Sequence, residues 1–208
     1  EPRHLTAEDL ARTAQYAAER ERRTHLAAVT DMSSYLASLA MTATVLPFRP
    51  ADIPRIAQLI NKSNQFNLTT IRRSEAEVVA LLDDPDIRAF TIRLADRFGD
   101  HGLTAIVIAR IADEVLAIES WLMSCRVLNR GVEEETQNEI VRLARAAGCR
   151  AVTGVYIPSP RNGMVADLLP RLGFTESGRS PARVDYRLEL DGVTPRATAI
   201  HVQSEEAR

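Results

Sequence analysis

The spacing of apolar and polar residues changes near residue 41. Before that point the pattern is helical and strongly charged: Thr6 precedes acids typical of a first helical turn, and Asp31 precedes a short apolar periodicity. From Met41 the sequence MTATVLPF is rich in the threonine and valine that favour strands. We therefore predict a helical linker or extension at residues 1–40 and a folded domain at residues 41–193.

Two amphipathic helices are predicted after this first strand. Ile53, Ile56 and Ile60 recur at the spacing that places apolar side chains on one helical face. Ser74 and Glu77 have the spacing of a capping box, in which each side chain bonds the other residue's backbone N–H. A second helix should therefore begin directly after Ser74.

Three strands are then predicted at residues 87–94, 103–111 and 114–123. The links between them are short, and short links join antiparallel strands, so we expect a meander.

The rest of the domain is predicted to alternate helices and strands. A helix opens after Gly131 with three glutamates and ends at Gly148, and a buried strand follows at 151–157. Asn162 is expected to cap a short helix, and the last strand is placed at 184–190. The polar segment 194–208 is predicted to be a flexible tail.

The order of elements from residue 41 is therefore β-α-α-β-β-β-α-β-α-β. This order resembles that of the GNAT fold, the acyl-CoA N-acyltransferase architecture. The fold class we expect is α/β (α+β), a mixed and mostly antiparallel sheet flanked by helices, with the N-terminal helical extension attached.

Composition narrows the function classes. The 208 residues carry 26 Lys and Arg against 28 Asp and Glu, so no basic excess points to nucleic acid. No apolar run approaches the ~20 residues of a membrane span, and the first residues lack a signal peptide. Two cysteines suit a reducing compartment, although a single disulfide stays open. We expect a cytoplasmic protein without a membrane or metal site.

Four stretches resemble the C-terminal region of the FkbH-like proteins, and together they span most of residues 50–175. They are residues 61–70 (NKSNQFNLTT), 96–103 (DRFGDHGL), 123–134 (MSCRVLNRGVEE) and 166–174 (ADLLPRLGF).

The resemblance implies glyceryl transfer from a phosphoglycerate donor, such as 1,3-bisphosphoglycerate, to an acyl carrier protein in polyketide biosynthesis. The carrier's phosphopantetheine arm would be the acceptor. It also implies a phosphatase-like partner domain of the haloacid dehalogenase class. Such a domain needs an Asp-x-Asp pair after a strand, whereas Asp84 and Asp86 lie between a helix and a strand. We expect that part to be absent.

Cys125 is the main catalytic candidate. It follows an apolar strand and lies close to Arg126, Arg130 and Gly131, where positive charge and a helix N-terminus favour a thiolate. In the GNAT fold this strand lines the acyl pocket, so a thiolate here could carry the glyceryl group as a thioester. The alternative is an inert core cysteine, which is how we interpret Cys149.

His101, beside Asp100, is the candidate base for that thiol, although both residues also suit a solvated turn. Arg126 and Arg130, with Gly131, are candidates for binding phosphate, or for pairing with nearby glutamates. A polar cluster suits either a hydroxylated acyl group or loop capping; its members are Asn64, Gln65, Asn67, Thr69 and Thr70.

Two features speak against bound CoA. The pyrophosphate loop of GNAT acetyltransferases resembles Arg-Gly-x-Gly-x-Gly, whereas here Glu133 and Glu135 replace the later small residues. Leu169 stands where the resemblance implies a tyrosine acid. We expect no tightly bound cofactor. Three hypotheses follow: a glyceryl transferase acting through Cys125, a non-catalytic carrier-protein docking module, and a CoA-dependent acetyltransferase.

Overall fold

The computed structural model describes residues 16–22 and 31–204. Eight strands form one sheet in the order β6-β7-β5-β4-β3-β2-β1-β8. The strands are β1 Met41–Pro47, β2 Ile87–Asp96, β3 Gly99–Ala112, β4 Val115–Met123, β5 Ala151–Tyr156, β6 Thr175–Ser180, β7 Arg183–Glu189 and β8 Ile200–Ser204.

Helices cover both faces of this sheet. Residues 16–22 are helical. The later helices are α1 Met32–Ser38, α2 Ile53–Lys62, α3 Glu75–Ala80, α4 Val132–Ala146 and α5 Leu168–Arg171, with short 3-10 turns at Pro50–Asp52, Cys125–Val127 and Gly163–Val165. No helix within residues 16–22 and 31–204 is both long and apolar enough to cross a membrane.

The pairing pattern confirms the predicted fold class. Strands β1 to β4 form an antiparallel meander, and β5, β6 and β7 also pair antiparallel. Strands β4 and β5 pair in parallel, and this pairing extends over only the three pairs that begin at Val115 and end at Ala117. Beyond Ala117 the two strands separate, which opens a gap at their carboxyl ends.

Two apolar layers hold the helices on the sheet. Strand side chains alternate between faces, so Ile106 and Ile108 face α2 while Val107 faces the opposite layer. The predicted apolar face of α2 is buried on Ile106 and Ile108 and includes Ile56 and Ile60, both fully buried. Each such side chain stabilises the fold by about 1.5–3 kcal/mol.

Local sequence signals predict several helix ends correctly. Ser74 and Glu77 form the predicted capping box, and α4 begins directly after Gly131. Asn162, however, makes no capping hydrogen bond at the 3-10 turn that follows it.

The prediction of a flexible tail is wrong for residues 200–204. These residues form β8, which pairs in parallel with β1 from Met41↔Ile200 onward. Strand β6 was also missed. Of the predicted extension at residues 1–40, residues 16–22 and α1 are helical, while 1–15 and 23–30 lie outside the described residues, as do 205–208.

Candidate functional site

A cleft of about 560 Å³ lies beside the end of β4. Cys125 forms the start of the 3-10 turn after β4, and its side chain is exposed at this cleft. Asn64 and Gln65, from the loop after α2, contribute to the wall. The structure therefore brings the candidate thiol together with two members of the predicted polar cluster.

The charges around this cleft are positive. Arg55 and Lys62 reach it from α2, Arg161 from the loop after β5, and Arg126 from the turn that carries Cys125. No carboxylate lines the cleft within the described chain. Sequence reasoning missed Arg55, Lys62 and Arg161, because nothing in their local sequence indicates that they meet.

The other three polar candidates have structural positions instead. The side-chain oxygen of Asn67 accepts hydrogen bonds from the backbone N–H groups of Thr69 and Thr70, at 3.3 and 2.8 Å. The Thr69 hydroxyl donates to the carbonyl of Glu119. Asn67 and Thr69 are buried, and none of the three lines the cleft. They fit the loop-capping alternative.

Residues 66–68 fill the gap between β4 and β5. Leu68 N–H donates to the carbonyl of Trp121 at 3.2 Å, and Met123 N–H donates to the carbonyl of Phe66 at 3.1 Å. On the other side, Ile157 N–H donates to the carbonyl of Leu68 at 2.9 Å. This segment therefore supplies backbone hydrogen bonds to both strands where they no longer pair with each other.

Asn162 holds this segment in place. Its side-chain nitrogen donates to the carbonyls of Asn67 and Ile157, both at 3.0 Å. Its side-chain oxygen accepts from Ser159 N–H at 2.7 Å. Asn162 is fully buried, so each of these bonds satisfies a group that water does not reach.

Asp96 is the centre of a buried charged cluster. Its carboxylate accepts two hydrogen bonds from Arg22, at 2.7 and 2.9 Å, and lies 2.9 Å from His101 Nε2. The backbone N–H groups of Phe98 and Gly99 also donate to it. Burial alone would raise the pKa of Asp96, but the bonds from His101, Arg22 and Phe98 outweigh it and hold the pKa well below its usual range.

This cluster corrects two expected pairings. The carboxylate that contacts His101 is Asp96 and not Asp100, whose side chain accepts from Gly102 N–H at 2.6 Å in a turn. Arg130 also belongs to the cluster, with its Nη1 3.5 Å from Asp96 Oδ2. Neither His101 nor Arg130 lines the cleft beside Cys125.

The first turn of α4 contains a buried carboxylate that folds back on the loop before the helix. Gly131 has a φ of +89°, and Glu133, 4% exposed, turns back so that its Oε1 accepts from Asn129 N–H at 3.2 Å. Burial raises the pKa of Glu133, partly offset by hydrogen bonds from its own N–H and that of Asn129. Glu135 instead accepts from the Thr198 hydroxyl at 3.0 Å.

Leu169 and Cys149 are core residues. A Cβ on Gly154 of β5 would lie 2.8 Å from Leu169 Cδ1, so the leucine is packed directly on that strand. Cys149 is buried and burial raises its pKa, as expected for a structural thiol. Neither cysteine is in a disulfide. No group of three or more potential ligands for a metal ion occurs in the described residues.

Solved structures show the fold to which this chain is similar. The ribosomal-protein-S18-alanine N-acetyltransferase from Escherichia coli matches with a TM-score of 0.55 at 11% identity, over 75% of this chain and 99% of that one. Spermidine N-acetyltransferase from Vibrio cholerae, in complex with CoA and spermine, matches with 0.51 at 14%, over 70% and 93%.

The GNAT domain of S. lividans PAT matches with a TM-score of 0.53 at 15% identity, over 70% of this chain and 89% of that one. No protein-family model matches the chain, and neither does any curated protein. At these identities the likeness shows the fold alone: the chain has a GNAT fold.

Proposed function

We propose that this protein is an acyltransferase that carries its acyl group on Cys125. The observation that supports this most is the exposed thiol in a cleft lined by basic side chains and, among the described residues, by no carboxylate. A cysteine attacks an acyl carbon through its sulfur, so the nucleophile has to be reachable from solvent, as Cys125 is.

The reaction has two steps. The sulfur of Cys125 attacks the acyl carbon of a phosphoglycerate-derived acyl phosphate, a C–S bond forms, and phosphate leaves with the electron pair of the broken C–O bond. The phosphopantetheine thiol of an acyl carrier protein then attacks the thioester and Cys125 leaves as a thiolate. This is the glyceryl transfer implied by the resemblance to the FkbH-like proteins, with the second phosphate removed by a haloacid dehalogenase-type phosphatase partner.

His101 and Asp100 have no role in this proposal. The imidazole Nε2 lies against Asp96, and the Asp100 carboxylate completes a turn. Arg130 is likewise held by Asp96, which leaves Arg126 as the predicted arginine at the cleft.

We also propose that acyl-CoA is not the donor. Three features support this. The Glu133 carboxylate already accepts the Asn129 N–H, at the loop where GNAT acetyltransferases hold pyrophosphate. Residues 66–68 fill the gap between β4 and β5. Leu169 cannot donate a proton. Bare amides at a helix N-terminus attract an anion, whereas a carboxylate among them repels one.

The same three features favour a second candidate function, a docking module for the carrier protein that performs no chemistry. A carrier-loading assay separates the two. Glyceryl donor, phosphatase partner and carrier protein are incubated with wild type, Cys125→Ala or Cys149→Ala, and the loaded carrier is quantified by mass.

Acyl transfer through Cys125 predicts that Cys125→Ala loads no carrier while Cys149→Ala, the matched thiol control, loads it normally. Undiminished loading by Cys125→Ala would refute the covalent step and leave the docking role.

A further inference from the structure

Three basic side chains converge on the cleft from parts of the chain that are far apart in sequence. Arg55 and Lys62 are seven residues apart on α2, a spacing of two turns that places both on one helical face. Arg161 comes from the loop after β5. Lys62 is the only lysine in the chain. The fold therefore brings these three cations to the cleft that Arg126 also lines.

Several arginines elsewhere in the molecule pair with carboxylates. Arg110 pairs with Asp84 and Glu119, and Arg142 pairs with Glu139. Arg55, Lys62 and Arg161 make no ion pair with any residue that the structure describes. Since acids outnumber bases by 28 to 26 in the sequence, a surplus of basic residues does not explain an acid-free cleft.

A capping role for Lys62 does not explain its position either. A cation at the end of a helix can compensate the exposed carbonyls there. At the end of α2 that role is filled by Arg72, which donates to the carbonyls of Ile60 and Ser63. Lys62 itself lines the cleft.

We infer that Arg55, Lys62 and Arg161 form a phosphate subsite for a ligand whose reactive end reaches Cys125. Guanidinium groups match the geometry of phosphate oxygens, and an ammonium adds a compact charge. Because residues 66–68 close the gap between β4 and β5, the ligand must approach on the α2 side of the sheet. The inference deepens the proposed function of the same cleft, and it rests on that function only for the role of Cys125.

Two phosphorylated ligands share this chemistry, namely the phosphopantetheine arm of a carrier and a phosphoglycerate-derived donor. Because Lys62 is the only lysine in the chain, an isotopic label on its amine can report the binding of either ligand. Reductive methylation with ¹³C-formaldehyde labels Lys62 and the N-terminal amine and keeps the ammonium charge. The labelled protein carries Cys125→Ser, so that no acyl transfer or disulfide chemistry intervenes.

The methyl signal of Lys62 is followed while 4′-phosphopantetheine, pantetheine, 3-phosphoglycerate or inorganic phosphate is added. The subsite predicts a saturable shift with phosphorylated probes and none with pantetheine. Stronger binding of 4′-phosphopantetheine identifies the carrier arm as the source, and stronger binding of 3-phosphoglycerate identifies the donor.

Charge reversal tests the two arginines. Arg55→Glu and Arg161→Glu should each weaken binding by about tenfold or more, the effect of losing one charge-assisted hydrogen bond. Arg142→Glu, an exposed position on α4, is the matched control and should change the Kd by less than about twofold.

Equal shifts with pantetheine and 4′-phosphopantetheine, no shift with any phosphorylated probe, or unchanged binding by Arg161→Glu would overturn the subsite. Phosphate binding combined with carrier loading that survives Cys125→Ala would refute the proposed function alone. If no phosphorylated probe binds but carrier loading still requires Cys125, only this inference is refuted.

Discussion

Asp96 should be the most sensitive polar position in the fold. Its carboxylate is fully buried and receives two hydrogen bonds from Arg22, two from backbone N–H groups and a contact from His101 at 2.9 Å. Asp96→Asn keeps the size of the side chain but removes its charge and one acceptor oxygen. The buried Arg22 guanidinium then loses its closer carboxylate and keeps only the longer contact to Glu19, at 3.4 Å.

Removing one partner of a buried pair costs about 3–5 kcal/mol. Because asparagine keeps one oxygen, we expect the lower end, a loss of about 3 kcal/mol. Typical domains unfold with a free energy of about 5–15 kcal/mol, so this loss is a large share of the total. For a chain of this size it lowers Tm by roughly 6–12 °C.

Urea unfolding followed by circular dichroism measures the change directly. Asp167→Asn is the matched control, because Asp167 pairs with Arg171 at the surface with their side chains 69% and 49% exposed. Such a pair contributes less than about 0.5 kcal/mol. A loss below about 1 kcal/mol for Asp96→Asn would refute the claim that the cluster stabilises the fold.

Four further outcomes are expected. Because the pKa of Asp96 is lowered in the folded state, its contribution to the free energy of unfolding is complete above the unfolded pKa of about 4 and is lost as the pH falls. The difference in unfolding free energy between wild type and Asp96→Asn should therefore narrow on acid titration. A thiol reagent should modify Cys125 rapidly in the native protein and buried Cys149 only on unfolding; one rapid equivalent in Cys125→Ser would contradict this. Asn162→Ala should destabilise the fold by about 2–3 kcal/mol and speed amide hydrogen exchange at residues 66–68, and unchanged exchange would count against its bridging role. Gly131→Ala should cost about 1 kcal/mol in urea unfolding, because its φ is +89° and the new Cβ would lie 3.4 Å from a neighbouring side chain; equal stability would contradict it.

The elements that the sequence predicts best are those with local signals. The isoleucines of α2 repeat at helical spacing, and Ser74 with Glu77 satisfies its own helix terminus. By contrast, β6 has mostly exposed side chains without alternation, and β8 is stabilised by pairing with β1, about 160 residues earlier in the chain. The exposed strand β6 therefore carries no local pattern, and the alternation of Ile200 and Val202 in β8 is too short to distinguish it from a polar tail.

The site was predictable only in part for the same reason. Cys125 was identified from its immediate neighbours, which chain continuity keeps nearby. The partner of His101 was misassigned because Asp96, five residues away, faces it across the β2–β3 hairpin, while the adjacent Asp100 points into the turn. Arg161 joins Arg55 at the cleft only through tertiary structure. Contacts between distant segments depend on the whole sheet, which no short pattern specifies.

A single-turnover experiment tests the acyl-carrying role of Cys125 most directly. The protein is mixed with its phosphoglycerate-derived donor and the phosphatase partner, carrier protein is withheld, and the intact mass is recorded after acid quench. We predict one glyceryl adduct per chain, which disappears in Cys125→Ala and is released when carrier is added. An unmodified mass for wild type, or an adduct that persists in Cys125→Ala, would contradict the covalent mechanism.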